Sequence, residues 1–169
     1  LRVGQVGDVA SLEPYRAPGA NLVFMYNLLG QFLSNDRGQG FAGEMAESWD
    51  LASDSMSMTV KLREGLTTHA GVPVDANMVK WNFEERVTQK DKGAAHYNQV
   101  APYFGSIDVI DELTFRLNFS NPAPHFEEIM AIVPITDPDM FTRDDGTVAL
   151  ANQEDKIIST GPFMLTEYV

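Results

Sequence analysis

The chain has 169 residues, of which 44% are hydrophobic and 21% charged, and 12 Lys and Arg against 24 Asp and Glu give a net charge of −12. This composition is typical of a globular protein and argues against intrinsic disorder. The excess negative charge disfavours binding to nucleic acids and anionic lipid. The longest apolar run is far shorter than the roughly 20 residues of a membrane span. Because cysteine is absent, disulfides and Cys-ligated metals are excluded.

The N-terminal residues predict a short strand, an irregular loop and a helix. Residues 1–7 have the pattern of a strand, and the proline- and glycine-containing stretch after it is typical of loops that line sites. Asn21 can cap a helix that ends near Gly30. The helix is predicted from apolar residues at helical spacing, namely Leu22, Met25, Leu28, Leu29 and Phe32.

The next segment predicts antiparallel strands joined by tight turns. One turn is expected at 35–38, and a second at 53–55 between two strands. In the second of these strands apolar and polar residues alternate, as in a half-buried strand. The apolar set is Met56, Met58, Val60 and Leu62.

A helix is predicted after the glycine and proline turn at 71–73. Asp75 can cap it, and Val79, Phe83 and Val87 form one apolar stripe, so the helix should run to about Gln89. Residues 90–105 alternate between polar and aromatic types, which indicates a mobile or site-lining segment.

A second hairpin and three short elements are predicted for the rest of the chain. The hairpin joins strands 106–110 and 114–119, with Phe115, Leu117 and Phe119 facing inward. Pro122 and Pro124 are expected in the first turn of a helix that ends at Ala131. A short helix near Asp139 and a strand over 163–168 complete the series. Because hairpins and helices do not alternate regularly, the fold class is α+β.

Several motifs of catalytic or cofactor sites are incomplete. Gly38, Gly40 and Gly43 satisfy the spacing GxGxxG, but a strand follows them instead of the helix that a dinucleotide site requires. The three histidines lack the spacing of a helical metal site and are interpreted as loop or surface residues, with a cluster brought together by folding as the alternative. No GxSxG motif is present, and adjacent carboxylates point apart in helices and strands, so catalysis has no support. Trp49 and Trp81 are interpreted as core or edge packing.

Eight segments of the chain carry motifs in a fixed order, namely 12–14, 43–49, 60–65, 69–74, 75–84, 109–116, 122–126 and 160–163. Together they resemble one known family, that of the extracytoplasmic solute-binding proteins of ABC importers for dipeptides, oligopeptides and nickel (family 5). Ala70 and Ser55 depart from its pattern at turn positions, where an Asp or Asn and a glycine are usual.

The resemblance implies the N-terminal part of a two-lobed periplasmic-binding-protein fold of class II. Residues 1–30 and 136–169 would belong to the large lobe, and residues 31–135 would form an inserted small sub-domain of antiparallel hairpins and helices. The second lobe, which closes over the ligand, would lie beyond Val169. No signal peptide is visible before the first strand, which leaves open that the sequence begins after one.

The resemblance implies a transport function without a chemical step. Such a protein captures a small solute in the periplasm or another extracytoplasmic space, free or lipid-anchored, and delivers it to a membrane permease. A dipeptide or oligopeptide is the expected solute, with a nickel chelate or an oligosaccharide as alternatives, and no cofactor or nucleic acid is implied. A second hypothesis is an interaction module without its own solute site.

The resemblance also implies which residues face the ligand. Asp8 is expected to pair with an ammonium group of the ligand, and the alternative is that it only caps a strand. Tyr97 is expected to contact the ligand, and the alternative is that it is an exposed aromatic residue of a loop. The expected ligand-binding residues are Val6, Gly7, Asp8, Val9, Pro18, Gly19, Ala20, Asn21, His96 and Tyr97.

Overall fold

The computed structural model describes residues 27–36, 38–88, 97–142 and 157–166. Within these ranges the strands are β1 (Leu33–Asn35), β2 (Phe41–Gly43), β3 (Ala46–Leu51), β4 (Ser57–Leu62), β5 (Phe104–Val109) and β6 (Thr114–Phe119). The helices are α1 (Ala76–Asn82), which continues as the π-helix Phe83–Val87, then α2 (Tyr97–Val100), α3 (Phe126–Met130) and the 3-10 helix Pro138–Met140. The α+β class is therefore confirmed.

Strands β1 and β2 form a small hairpin whose turn contains Asp36 and Gly38 of the predicted stretch, whereas residue 37 lies outside the described residues. The Asn35 side chain accepts from the Gly38 N–H at 3.1 Å, and the Asp36 N–H donates to the Gly40 carbonyl at 2.9 Å. Gly38 and Gly40 have φ angles of 84° and 112°, which favour glycine. Two of the GxGxxG glycines thus serve a hairpin turn, and β3 follows the third, as the sequence predicts.

The two predicted hairpins join into one antiparallel sheet with the order β3-β4-β6-β5. Strand β4 pairs with β6, so that Val60 lies opposite Phe115 and Met58 lies opposite Leu117. The buried side chains follow the predicted alternation in both central strands, because one face of the sheet covers the core. They are Met58, Val60 and Leu62 in β4 and Phe115, Leu117 and Phe119 in β6.

Helix α1 begins where its sequence predicts and packs on the core. The Asp75 carboxylate accepts from the Met78 N–H at 2.7 Å, as an N-cap does. Val79, Phe83 and Val87 are completely buried. The helix ends in the π-helix because the N–H and hydroxyl of Thr88 both donate to the Phe83 carbonyl, at 3.1 Å and 2.8 Å.

The predicted boundaries are wrong at two places in the middle of the chain. Strand β5 begins at Phe104, inside the segment predicted as mobile or site-lining, because Phe104 pairs with Phe119 and stacks on Phe83 at 5.9 Å. The second error concerns Pro122 and Pro124, which precede helix α3 and its N-cap residue His125. The Ala123 N–H between them donates to the Ser55 carbonyl at 2.9 Å, which ties this stretch to the turn between β3 and β4 instead of to the helix.

The end of the described chain also differs from the prediction. The short helix near Asp139 is present as the 3-10 helix, with the Asp137 carboxylate accepting from the Asp139 N–H. No strand forms over 163–166, whereas 167 and 168 lie outside the described residues. The reason is that the amides of Gly161 and Phe163 donate to the carbonyls of Leu28 and Asn27.

Several predictions fall wholly or partly outside the described residues. The strand over 1–7 and the helix start at Asn21 lie there, as does Gln89. Of the first helix, residues 27 and 28 are described and helical, and Gly30 pairs with Ile135 in an isolated bridge.

Candidate functional site

Of the ten ligand-binding residues expected from the resemblance, one lies in the described part of the chain. Tyr97 is half-buried and is the first residue of helix α2. Its carbonyl accepts from the Ala101 N–H at 2.8 Å, and the helix is fixed by the buried side chain of Val100. The other nine lie outside the described residues, namely Val6, Gly7, Asp8, Val9, Pro18, Gly19, Ala20, Asn21 and His96.

Tyr103 and His125 form an aromatic contact near the end of α2 that the sequence analysis does not predict. Their rings meet edge to face with centroids 5.0 Å apart, and His125 is exposed. The Ser120 N–H donates to the Tyr103 carbonyl at 2.7 Å, next to the Phe104–Phe119 pair. The pairing of Phe104 with Phe119 in the second hairpin thus brings Tyr103 close to the chain that leads to His125.

A junction forms where three stretches of chain meet, residues 27–30, 135–137 and 157–161. Isolated antiparallel bridges join Gly30 to Ile135 and Thr136 to Ser159. The Ser159 hydroxyl donates to the Ile135 carbonyl, and the Gly161 N–H donates to the Leu28 carbonyl. We refer to these three stretches as the junction.

The turn at 67–73 is attached to the junction by two side chains. The Thr68 hydroxyl donates to the Asp137 carboxylate at 3.0 Å, and both residues are buried. The His69 ring lies against residues 157–161, with Nε2 at 3.0 Å from the Gly161 carbonyl oxygen. His69 lies in a loop, as the sequence predicts, but no local sequence pattern indicates these contacts.

No sequence pattern indicated the buried polar and charged groups on helix α1 and the π-helix that continues it. Asn82 is completely buried and bonds to Thr136, while the Arg86 guanidinium lies 3.8 Å from the centroid of the Phe141 ring. Trp81 stacks on the same ring at 6.4 Å. Trp81 and Trp49 are both half-buried against the core, which confirms the predicted packing role.

The solvent face of the four-stranded sheet carries polar and charged side chains. Lys61 and Glu47 form an ion pair of 2.6 Å between β4 and β3, in which both side chains are about half exposed. The hydrogen bond from Lys61 lowers the pKa of Glu47, and the hydrogen bond to Glu47 raises the pKa of Lys61. At the hairpin turn, the hydrogen bond from the Leu113 N–H lowers the pKa of Asp111.

Neither a metal centre nor a membrane-spanning helix is found in the ranges that the structure describes. In those ranges no three His, Asp or Glu side chains are grouped so as to hold a metal ion. The helices described are too short or too polar to cross a bilayer. The described residues provide the hydrogen bonds around the junction and the edge-to-face contact of Tyr103 with His125 near α2.

Comparisons with known proteins give a consistent result. The family model described as "Bacterial extracellular solute-binding proteins, family 5 Middle" matches residues 40–169. A glutathione-binding protein of Pectobacterium atrosepticum is 28% identical over 122 residues, which cover 72% of this chain and 23% of that protein. A probable D,D-dipeptide-binding periplasmic protein of Escherichia coli is 27% identical over 176 residues, which cover 99% of this chain and 33% of that protein.

The fold is also found in solved structures. The nickel-histidine complex of NikZ from Campylobacter jejuni superposes with a TM-score of 0.82 at 18% identity, over 96% of this chain and 32% of that chain. The chain spans about a quarter to a third of the length of the curated relatives it matches. Since the family model covers most of the sequence, the chain belongs to the bacterial extracellular solute-binding proteins of family 5.

Proposed function

We propose that the protein containing this chain is the solute-binding component of an ABC importer. It captures a dipeptide, an oligopeptide or a similar small solute outside the cytoplasm and delivers it to a membrane permease, without a chemical step. The observation that carries the proposal is the family match over residues 40–169. The two relatives named above are a glutathione-binding protein and a probable D,D-dipeptide-binding protein, which favours a peptide over other solutes.

The physical basis of such a function is closure of two lobes over the ligand. A ligand that contacts both lobes stabilises the closed state by its differential affinity, and the permease can then distinguish loaded from empty protein. Peptide backbones are commonly held by strand-like hydrogen bonds, which leaves the side-chain pockets permissive. Because the curated relatives are three to four times as long as the matched region, we assign the closing lobe to another part of the protein.

Residues 31–135 are proposed to be a unit inserted into a large lobe formed by 1–30 and 136–169. The supporting observation is the bridge between Gly30 and Ile135, which lies where the chain would enter and leave the inserted unit. An insertion requires its two ends to lie close together, and these residues meet that condition. Trp81 of this unit stacks on Phe141, so the stretch after residue 136 packs against the unit.

The ligand-facing residues are proposed to be those that the resemblance indicates, at 6–9, 18–21, 96 and 97. Tyr97 is the one of these residues for which the described part of the structure offers support for a ligand contact. Its side chain is half-buried, and the buried Val100 and the backbone bond from Ala101 fix its position. A fixed aromatic ring offers contact area at low entropic cost, which suits a ligand contact.

The experiment is thermal unfolding of the full-length protein with a panel of dipeptides to pentapeptides, oligosaccharides and nickel-histidine. A ligand at 100 times its dissociation constant stabilises the native state by about 2.7 kcal/mol, which raises the Tm measurably. A rise in Tm with peptides and with none of the other compounds supports the proposed substrate class. A shift confined to oligosaccharides or to the nickel chelate would refute the peptide assignment, and no shift with any compound counts against solute capture.

The role of Tyr97 is tested by the dissociation constant of the best peptide. We expect Tyr97→Ala to weaken binding about tenfold. The matched control is Tyr103→Ala, which removes another half-buried tyrosine that packs against His125. If both variants bind the peptide as the wild type does, Tyr97 is not a ligand contact.

Location is proposed to be periplasmic, with the protein free or lipid-anchored at the outer face of the membrane. The family description, which names extracellular proteins, supports an extracytoplasmic site. Cell fractionation followed by detergent partitioning distinguishes the free form from the anchored one. Recovery with the cytoplasmic fraction would contradict both.

A further inference from the structure

His69 contacts the stretch 157–161 through its backbone and both ring nitrogens. Its N–H donates to the Ser159 carbonyl at 2.8 Å. Nε2 lies 3.0 Å from the Gly161 carbonyl oxygen, and Nδ1 lies 3.3 Å from the Ile157 oxygen and 3.4 Å from the Ser159 nitrogen. One half-buried side chain on the turn at 67–73 therefore touches the beginning, middle and end of this stretch.

The neighbours of the two nitrogens determine which of them carries hydrogen in the neutral ring. A carbonyl oxygen can accept a hydrogen bond but cannot donate one, so Nε2 must carry the hydrogen for the bond to Gly161. Nδ1 can then accept from the Ser159 N–H at 3.4 Å, and the Ile157 carbonyl oxygen at 3.3 Å receives no hydrogen bond from the ring. The opposite neutral tautomer would donate to Ile157 alone and would lose the bonds to both Gly161 and Ser159. The geometry thus selects the Nε2–H tautomer.

The remaining contacts of 157–161 come mostly from the other two stretches of the junction. Gly161 bonds to Leu28, and Ser159 bonds to Ile135 and bridges to Thr136. Met45, which lies just before β3, adds a weaker contact, because its sulfur is a weak acceptor for the Thr160 hydroxyl. Among the contacts described, His69 therefore makes the hydrogen bonds between the turn at 67–73 and this stretch.

We propose that His69 is a positioning residue that fixes the returning chain against the turn at 67–73 and thereby sets how the inserted unit is held on the large lobe. This role rests on the proposed solute-binding function and on the proposed division into units. His69 touches no ligand in this proposal. Its loss would let the stretch 157–161 move and would weaken ligand binding indirectly, because the two halves of the pocket would be less well oriented.

The first test is independent of any ligand and uses the full-length protein with 15N-labelled histidine. The imidazole nitrogen shifts of His69 at neutral pH should show a protonated Nε2 and an unprotonated Nδ1. Amide hydrogen exchange should show that His69→Ala speeds exchange of the Ser159 and Gly161 N–H groups about tenfold or more. A protonated Nδ1 with a bare Nε2, or unchanged exchange rates, would overturn the proposal.

The second test measures the dissociation constant of the best peptide at a temperature where every variant is folded by circular dichroism. His69→Ala should weaken binding about tenfold, and His69→Gln should restore much of the loss because the glutamine amide offers both N–H donors and a carbonyl acceptor. His125→Ala is the matched control, since His125 is exposed on another part of the unit. Equal affinities for wild type and His69→Ala would refute the positioning role.

The two tests separate failure of this inference from failure of the proposed function. If the wild type binds no solute while the tautomer and exchange results hold, solute capture fails and the effect of His69 on affinity fails with it, whereas its contacts with 157–161 stand. If the wild type binds and His69→Ala binds equally well, the function stands and the inference fails. Should His69→Ala not fold, the tautomer measurement on the wild type still decides the outcome, because a protonated Nδ1 with a bare Nε2 overturns the proposal.

Discussion

Asn82 pairs with Thr136 as one backbone residue pairs with another in a sheet. The Asn82 amide nitrogen donates to the Thr136 carbonyl at 2.9 Å, and its oxygen accepts from the Thr136 N–H at 3.0 Å and from the hydroxyl at 3.1 Å. Both residues are completely buried. A side chain of helix α1 thus holds the junction at the point where Thr136 also pairs with Ser159.

Removal of this amide should be costly. We expect Asn82→Ala to lower the free energy of unfolding by about 3 kcal/mol, because the buried polar groups of Thr136 lose these partners. Urea denaturation measures the change. The control is Asn98→Ala, in which an exposed asparagine of α2 is removed and a change within about 0.5 kcal/mol is expected. Equal stabilities of the two variants would contradict the role given to Asn82.

Gly161 is required where the returning chain crosses residues 28 and 29, at the end of the helical stretch that precedes β1. A Cβ atom at this position would overlap the Leu28 carbonyl group and lie 2.7 Å from the Leu29 nitrogen. Because backbone cannot give way cheaply, Gly161→Ala should destabilise the protein by about 2 kcal/mol or more. The control, Gly38→Ala, meets open space at a φ of 84° and should cost about 1 kcal/mol from backbone strain alone. A smaller loss for Gly161→Ala than for the control would argue against close packing at residue 161.

Ser55 has a left-handed backbone at the turn between β3 and β4, with φ of 56°. Its N–H donates to the Ala52 carbonyl and its carbonyl accepts from Ala123, so a substitution can keep both bonds. We expect Ser55→Gly to stabilise the protein by up to about 1 kcal/mol, since glycine adopts this conformation without strain. Ser55→Ala should give no such gain. Chemical denaturation of both variants tests this, and a destabilised Ser55→Gly would be the contrary result.

The ion pair of Lys61 and Glu47 should contribute to stability at neutral pH and lose that contribution in acid. The hydrogen bond from Lys61 lowers the pKa of Glu47 in the folded state. A carboxyl group of this kind stabilises the fold above its ordinary pKa, and the effect disappears as the pH falls through the lowered value. Because both side chains are well exposed, we expect a small effect.

The measurement is an NMR titration of the Glu47 carboxyl group. In Lys61→Met its pKa should rise toward the ordinary range. In the control Lys80→Met the pKa of Glu47 should stay where it is in the wild type, because Lys80 on helix α1 pairs with Glu84 in the π-helix that follows. An unchanged Glu47 titration in Lys61→Met would show that the pair is absent in solution.

The candidate site was predictable only through resemblance. Composition and periodicity identify no binding residue, and the ligand-facing residues at 6–9, 18–21, 96 and 97 come from the order of motifs along the chain. His69 belongs to one of those motifs, yet its role depends on carbonyl groups about 90 residues later in the sequence. A contact between residues so far apart leaves no periodic signal.

The sequence by itself determined the elements that local physics controls. Alternation sets the inward faces of β4 and β6, and the Asp75 side chain caps α1, because side-chain period and capping act within a few residues. The tertiary structure alone decided that the hairpins share one sheet, that Pro122 and Pro124 precede a helix, and that residues 163–166 form no strand. These outcomes depend on distant partners: Phe115 for Val60, Ser55 for Ala123 and Leu28 for Gly161. A backbone hydrogen bond does not depend on which side chain its partner carries, so pairing over long range is fixed only when the whole core packs.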